Sequence, residues 1–150
     1  MKFYDINPLA NQSRDLICKS WSLAHRQSFF AGTLPDDLYF PAQLEQINRL
    51  LDTSKVLLAQ DPEDPQVQYG YLCYQEPRDP QYGPVIHFLF VKEDWRRYGI
   101  AKDLLAHAGI DLTKPSRHTH QSAFSRQYCL KHNYPSVFNP VLARLQTNRR

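Results

Sequence analysis

Between Val85 and Val91 the chain runs apolar, with one interruption at His87, and then turns charged at Lys92-Glu93-Asp94. A short apolar run bounded by charges predicts a buried strand. Apolar residues return at Ile100, Leu104, Leu105 and Ala108, the spacing of one helix face. A strand, a glycine-bearing turn and a helix therefore follow one another, with the first helical turn at Gly99. Free backbone N–H groups and the positive end of the helix dipole meet at such a point. Gly99 has no Cβ, so an anion can approach the backbone closely, and Arg96, Arg97 and Lys102 add positive charge. The pattern is a phosphate cradle without the lysine-serine ending of an ATP-binding loop.

The same periodicities organise the remainder. Residues 2–7 read as a first strand stopped by Pro8. Residues 9–30 turn helical, with Ile17, Trp21, Ala24 and Ser28 on one face, Leu16 and Leu23 alongside, and Gly32 and Pro35 ending the helix. Residues 34–40 read as a loop, and Pro41 as the first residue of a second helix buried through Leu44, Ile47, Leu50 and Leu51. Strands follow at 55–60 and 67–75, separated by the proline turn 61–65. A second proline-rich turn, 77–84, leads into the strand 85–91 and implies two adjacent antiparallel hairpins. After the glycine-led helix come a linker at Lys114-Pro115, a short strand at 117–121, a helix at 122–132 and a closing strand segment at 134–142. The order is β-α-α-β-β-β-α-β-α-β.

Composition narrows the class. A chain of 150 residues, 42% hydrophobic and 22% charged, fits one domain that buries roughly 70% of its unfolded surface. A net charge of +3 suits an anionic ligand without demanding a nucleic-acid partner, and no nucleic-acid-reading motif is present. Cys18, Cys73 and Cys129 form no CxxC pair and read as buried reduced thiols, which points to the cytoplasm. Met1–Asp5 opens no apolar signal core, and no window approaches eighteen apolar residues, so neither secretion nor a membrane partner is expected. Arg149-Arg150 reads as a solvated tail.

Arg96-x-x-Gly99-x-Ala101 after an apolar strand resembles the acetyl-CoA signature Arg/Gln-x-x-Gly-x-Gly/Ala of the GCN5-related N-acetyltransferase (GNAT) superfamily. Val91 five residues before Arg96, and the Leu104-Leu105 pair, stand as that family places them. The resemblance covers most of the chain and is weakest over the first helices and the C-terminal end. It implies an α/β (α+β) fold with a mixed, mostly antiparallel central sheet flanked by helices, residues 1–150 forming a single acyl-CoA-binding domain. It further implies acetyl-CoA as co-substrate, held by the backbone of Phe90 and Val91 and by the loop Arg96, Arg97, Tyr98, Gly99, Ile100, Ala101 and Lys102. The activity implied is acetyl transfer by direct attack of an amine, borne by a small molecule, peptide or protein. The alternative is a protein of this fold that binds CoA or a protein partner without catalysis.

Transfer to an amine needs a proton acceptor and a group that assists the leaving thiolate. His87 interrupts the apolar strand and titrates near neutrality. On an alternating strand it shares a face with Val85 and Leu89. In arylalkylamine-type members of the resembled family a histidine at the corresponding place helps carry protons away; the other reading is a core histidine bonded to a backbone carbonyl. Family members commonly carry a tyrosine on the last helix, in a Phe-Tyr-x-Lys-x-Gly-Phe pattern. Here the segment is Tyr128-Cys129-Leu130-Lys131-His132-Asn133-Tyr134, so Cys129 takes the tyrosine's place and Asn133 the glycine's. Tyr128 is one residue off, about 100° round the helix. Ser122 falls where the family often has asparagine. His118-x-His120, with Cys129, has the residue types of a metal site but lacks a second ligand pair, so packing is the expected role and no metal is predicted. The tyrosines of 67–74 read as core, and Asp36-Asp37 as an acidic turn.

Overall fold

The computed structural model describes residues 3–10, 13–26, 34–64, 66–76, 83–120, 122–140 and 142–143. The expectations for Lys2, residues 27–30, Gly32, Pro65, residues 77–82, Gln121, Val141 and Arg149-Arg150 lie outside these. Six strands form one open sheet in chain order: β1 (Asp5–Pro8), β2 (Lys55–Gln60), β3 (Gln68–Gln75), β4 (Val85–Val91), β5 (Ser116–His118) and β6 (Ser136–Phe138). The first three pairings are antiparallel and the last two parallel. The helices are α1 (Arg14–Arg26), α2 (Asp36–Thr53), α3 (Ile100–Ala108) and α4 (Ala123–His132). The mixed α+β architecture and the order of elements match the expectation.

Both faces of the sheet are covered. On one, Ile17 and Trp21 of α1 and Ile47, Leu50 and Leu51 of α2 pack on Leu58, Tyr71, Cys73 and Phe88. The Trp21 and Phe88 rings stack with centroids 5.0 Å apart, and losing either would cost about 3–5 kcal/mol. On the other face, Ile100, Leu104 and Leu105 of α3 pack on Leu72, Ile86, Leu89 and Val91. This double cover explains why β3 and β4 are buried along nearly their whole length. Gly70 of β3 is fixed by close approach: a Cβ there would stand 2.7 Å from the Phe90 carbonyl oxygen.

Several local expectations are corrected. Residues 34–40 are not a loop throughout, because α2 begins at Asp36, and Pro41 lies inside it. Asp36 and Asp37 favour the helix N-terminus, and Tyr39 anchors the first turn by donating its hydroxyl to the Ser22 carbonyl at 2.6 Å. Pro41 is exposed, as is Asp37, whose carbonyl it leaves without a helical donor. Leu16 and Leu23 are 43% and 49% exposed, because Ile17, Trp21 and His25 set the buried face of α1. Leu44 is likewise outward, its place in the stripe taken by Gln43. Pro8 does not stop β1 but ends it in register with Leu57, which an edge strand permits. β5 and β6 have three residues each, shorter than the segments expected.

The most consequential departure lies in β4. Cys73 pairs with Phe88 but Tyr74 with Ile86, so His87 is an extra residue in a bulge. Strict alternation fails there: Ile86 joins the same apolar cluster as Leu89 and Val91, so the alternation that was to set His87 on the face of Val85 and Leu89 does not hold.

Candidate functional site

β4 is the axis of the site. The Lys92 amide bonds to the Tyr69 carbonyl at 2.9 Å, so alternate residues Phe90 and Phe88 turn their backbone groups to β3, and Leu89 and Val91 turn theirs away. On that other side β5 pairs only with Val85 and Ile86. Arg117 donates to Pro84 at 3.1 Å and Thr119 to Ile86 at 3.0 Å, after which the strands part. The bulge restores the phase, so the amides of Leu89 and Val91 face this gap.

Beyond Val91 a short 3-10 turn, Glu93–Trp95, leads into α3. Gly99 caps it at φ +83° with no side-chain cap bond, and a Cβ there would meet nothing within 4 Å. Arg97 also has positive φ, at +74°. The Asp103 amide already bonds to Gly99, which leaves the first-turn amides of Ile100, Ala101 and Lys102 directed out of the helix end. Arg97, Tyr98, Gly99 and Lys102 are exposed around them, whereas the Ile100 and Ala101 side chains are buried against the sheet. Arg96 behaves differently from its neighbours: its Nε donates to the Val91 carbonyl at 2.9 Å, and its guanidinium lies 4.8 Å from the centroid of the Phe124 ring. Partial burial lowers its basicity, and it ties the end of β4 to α4.

A cavity of about 390 Å³ lies alongside the gap, walled by Ile86 and Leu89 of β4, His118 and His120, and Ser125 and Cys129 of α4. Of the two α4 residues singled out by sequence, Cys129 lines the cavity and Tyr128 does not. The Tyr128 ring packs against Phe124, His132 and Tyr134, and burial pushes its hydroxyl up to about 12. Burial also raises the Cys129 thiol, so it is protonated at neutral pH. Ser122 and Ser125 form a reciprocal capping box at the start of α4, and Asn133 ends it in the left-handed conformation at φ +55°.

His87 is fully enclosed. Its Nδ1 lies 2.9 Å from the Thr119 hydroxyl, which in turn lies 2.9 Å from His120 Nδ1; His120 Nε2 lies 2.8 Å from Gln46 Oε1. The partner of His87 is thus a hydroxyl rather than a backbone carbonyl. Burial holds His87 down to about 3 and His118 to about 4, and His120 sits well below its ordinary value. Thr119, His120 and Gln46 carried no sequence signal beyond the His118-x-His120 pair. His118 bonds to Ser136 at 2.8 Å instead, and β5 ends there, so the two histidines do not act as an i, i+2 strand pair. Among the described residues no group of three or more His, Cys, Asp or Glu stands where it could hold a metal. No described helix is long and apolar enough to cross a membrane.

No family model matches the sequence, and no curated protein does. Solved structures do match. A GCN5-related N-acetyltransferase from Ralstonia eutropha JMP134 superposes with a TM-score of 0.57 at 17% identity, over 87% of this chain and 92% of that one. PaiA N-acetyltransferase from Thermoplasma acidophilum, in complex with coenzyme A, gives 0.55 at 15% identity over 88% and 89%. AAC(6')-Iy, in complex with the bisubstrate analog CoA-S-monomethyl-acetylneamine, gives 0.50 at 17% identity over 89% and 91%. Against a longer GNAT-family structure from Desulfovibrio desulfuricans, the chain spans 63% of the other's length at a TM-score of 0.45.

Proposed function

This chain has the GNAT fold, and from that premise we propose that it is a CoA-dependent N-acyltransferase, with acetyl-CoA as co-substrate and an amine as acceptor. The observation that carries the reading is the end of β4: outward amides at the start of α3, an open left-handed Gly99, and a strand edge left without a neighbour. An anion of several phosphate charges fits the first feature, since N–H groups, dipole and the exposed Arg97 and Lys102 act together. An extended amide-bearing chain fits the second, because the Leu89 and Val91 amides need partners. The similar structures in complex with coenzyme A and with a CoA bisubstrate analog support the same assignment.

In the reaction the acceptor nitrogen forms a bond to the acyl carbon as the carbon–sulfur bond breaks. The nitrogen must shed a proton and the departing sulfur must gain one. His87 of the β4 bulge, the acceptor the sequence suggests, is enclosed and held down to about 3, so the amine arrives neutral and sheds its remaining proton to solvent. Cys129, a protonated thiol in the cavity wall, is the donor that faces the sulfur, in place of the tyrosine usual in the fold. Tyr128 faces its aromatic neighbours and serves packing. Holding the partners in register supplies several kcal/mol of the acceleration. The acceptor is a small amine or a peptide or protein amine.

Calorimetric titration with acetyl-CoA, followed by mass detection of acetylated product across small amines and unblocked peptides, tests this. Binding with turnover is the expected result. Binding without turnover leaves a CoA-binding module of the same fold, and no binding at high micromolar concentration removes both readings.

A further inference from the structure

The cavity beside the gap is long as well as large. α4 lines it from Ser125 in the first turn to Asn133 at the C-cap, a run of about 12 Å along the helix axis. One end of that run is fixed relative to the loop. Phe124, next to Ser125, takes the Arg96 guanidinium 4.8 Å from its ring centroid, and Arg96 in turn holds the Val91 carbonyl. The first turn of α4 therefore stands at the end where the outward amides are. Asn133 and Tyr134 stand at the other end, and Cys129 lies midway. A cysteine reaches only one heavy atom past its Cβ, so the wall is set back at that point.

Several polar side chains of the wall are already bonded within the protein. His118 meets the Ser136 hydroxyl at 2.8 Å, His120 meets Thr119 at 2.9 Å and Gln46 at 2.8 Å, and Ser125 is held in the capping box. Burial keeps both imidazoles neutral at working pH. Among the lining residues only Arg126 carries a charge; it is exposed and belongs to the end nearer the loop. Ile86, Leu89, Leu112 and Leu130 supply hydrocarbon surface to the same space. Such a wall suits an uncharged aliphatic group and offers no cation at the far end for a second carboxylate.

We propose that the far half of this cavity holds the acyl group of the thioester, and that the donors are aliphatic acyl-CoA thioesters longer than acetyl. This rests on the acyltransferase reading above and extends its donor. An arm paired with the Leu89 and Val91 amides runs from the α3 loop toward Ile86 and brings its sulfur to Cys129. An acetyl group ends there. The stretch of α4 from Cys129 to Asn133 continues for about 6 Å, which sets the preferred chain at about four to six carbons. The transfer itself is unchanged: the acyl carbon bonds to the acceptor nitrogen as its bond to sulfur breaks, and the CoA thiol leaves.

Titration calorimetry with CoA, acetyl-CoA, butanoyl-CoA and hexanoyl-CoA tests this without relying on turnover. Each buried methylene should tighten binding by up to about fourfold, so hexanoyl-CoA should bind about 10- to 100-fold tighter than acetyl-CoA. Its heat-capacity change should also be more negative, the mark of apolar burial. Cys129→Phe fills the set-back wall, and Leu130→Glu puts a carboxylate into it. Each should erase most of the hexanoyl advantage and leave acetyl-CoA affinity near that of the parent. Leu130 is 65% exposed, so its variant stays folded even where the added ring at Cys129 packs badly. Equal affinities for acetyl-CoA and hexanoyl-CoA, or a hexanoyl advantage that survives in the folded variants, overturns the acyl pocket while the acyltransferase reading stands. Binding of neither CoA nor any thioester overturns that reading and the pocket with it.

Discussion

The loop that opens α3 and the gap between β4 and β5 border the same strand, yet they are built from opposite materials. At the loop, the polar groups are backbone amides, they face solvent, and the side chains beside them are exposed or turned into the core. At the gap, the polar groups are side chains, Thr119, His120 and His87, all buried and bonded to one another. Backbone sites tolerate side-chain change, apart from the residue that admits the ligand, and depend on conformation. Side-chain sites depend on each atom, because an unpaired buried polar group costs about 1–3 kcal/mol. The loop and the buried cluster are therefore separable by substitution.

The widest separation should come from Gly99→Glu, which sets bulk and negative charge over the outward amides. It should lower CoA affinity by more than about 10³-fold, since like charge adds to steric exclusion. A Cβ meets nothing there, so only the left-handed backbone costs stability, about 1–2 kcal/mol. Calorimetry and a thermal melt together read this, and a variant that binds CoA as the parent does would break the comparison.

At the gap the corresponding stress is acid. His87 is held down to about 3 and His118 to about 4, against 6.5 in the unfolded chain, so below pH 6.5 the unfolded state binds more protons than the folded one. Stability should be fullest above about pH 6.5 and fall by several kcal/mol as the pH drops toward 4. His87→Gln should flatten part of that slope. A melting temperature unchanged between pH 7 and 4.5 would contradict the buried placement.

Smaller effects sharpen the picture. Cys129→Ala should lower kcat by about 10- to 100-fold with KM little changed, and Tyr128→Phe should leave kcat within about twofold. Arg96→Ala should lower stability by about 1–2 kcal/mol, since it removes the Val91 bond and the contact with Phe124. A loss confined to CoA affinity would place Arg96 with the outward cations instead. Asn133→Gly should change stability least, raising it by a few tenths of a kcal/mol if at all, because glycine adopts φ +55° without strain.

How far the sequence could be read follows the same division. Apolar periodicity marked β2, β3, β4 and α3 closely, and the arginine and glycine between β4 and α3 marked the loop, because a local turn needs only local residues. The gap depends on contacts between Gln46, His87 and Thr119–His120, distant in sequence, and on a bulge that no periodicity announces. The early start of α2 was hidden for a related reason: Tyr39 earns its helical place by reaching Ser22 of α1.

The central claim is that CoA lies along the end of β4 and across the start of α3, and backbone amide spectra of the protein titrated with CoA test it most directly. The amides of Leu89, Val91, Gly99, Ile100 and Ala101 should shift together and saturate with one affinity. Shifts centred elsewhere, such as on β1 and the Phe3, Tyr69 and Trp95 rings, or no saturable shift at all, would contradict it.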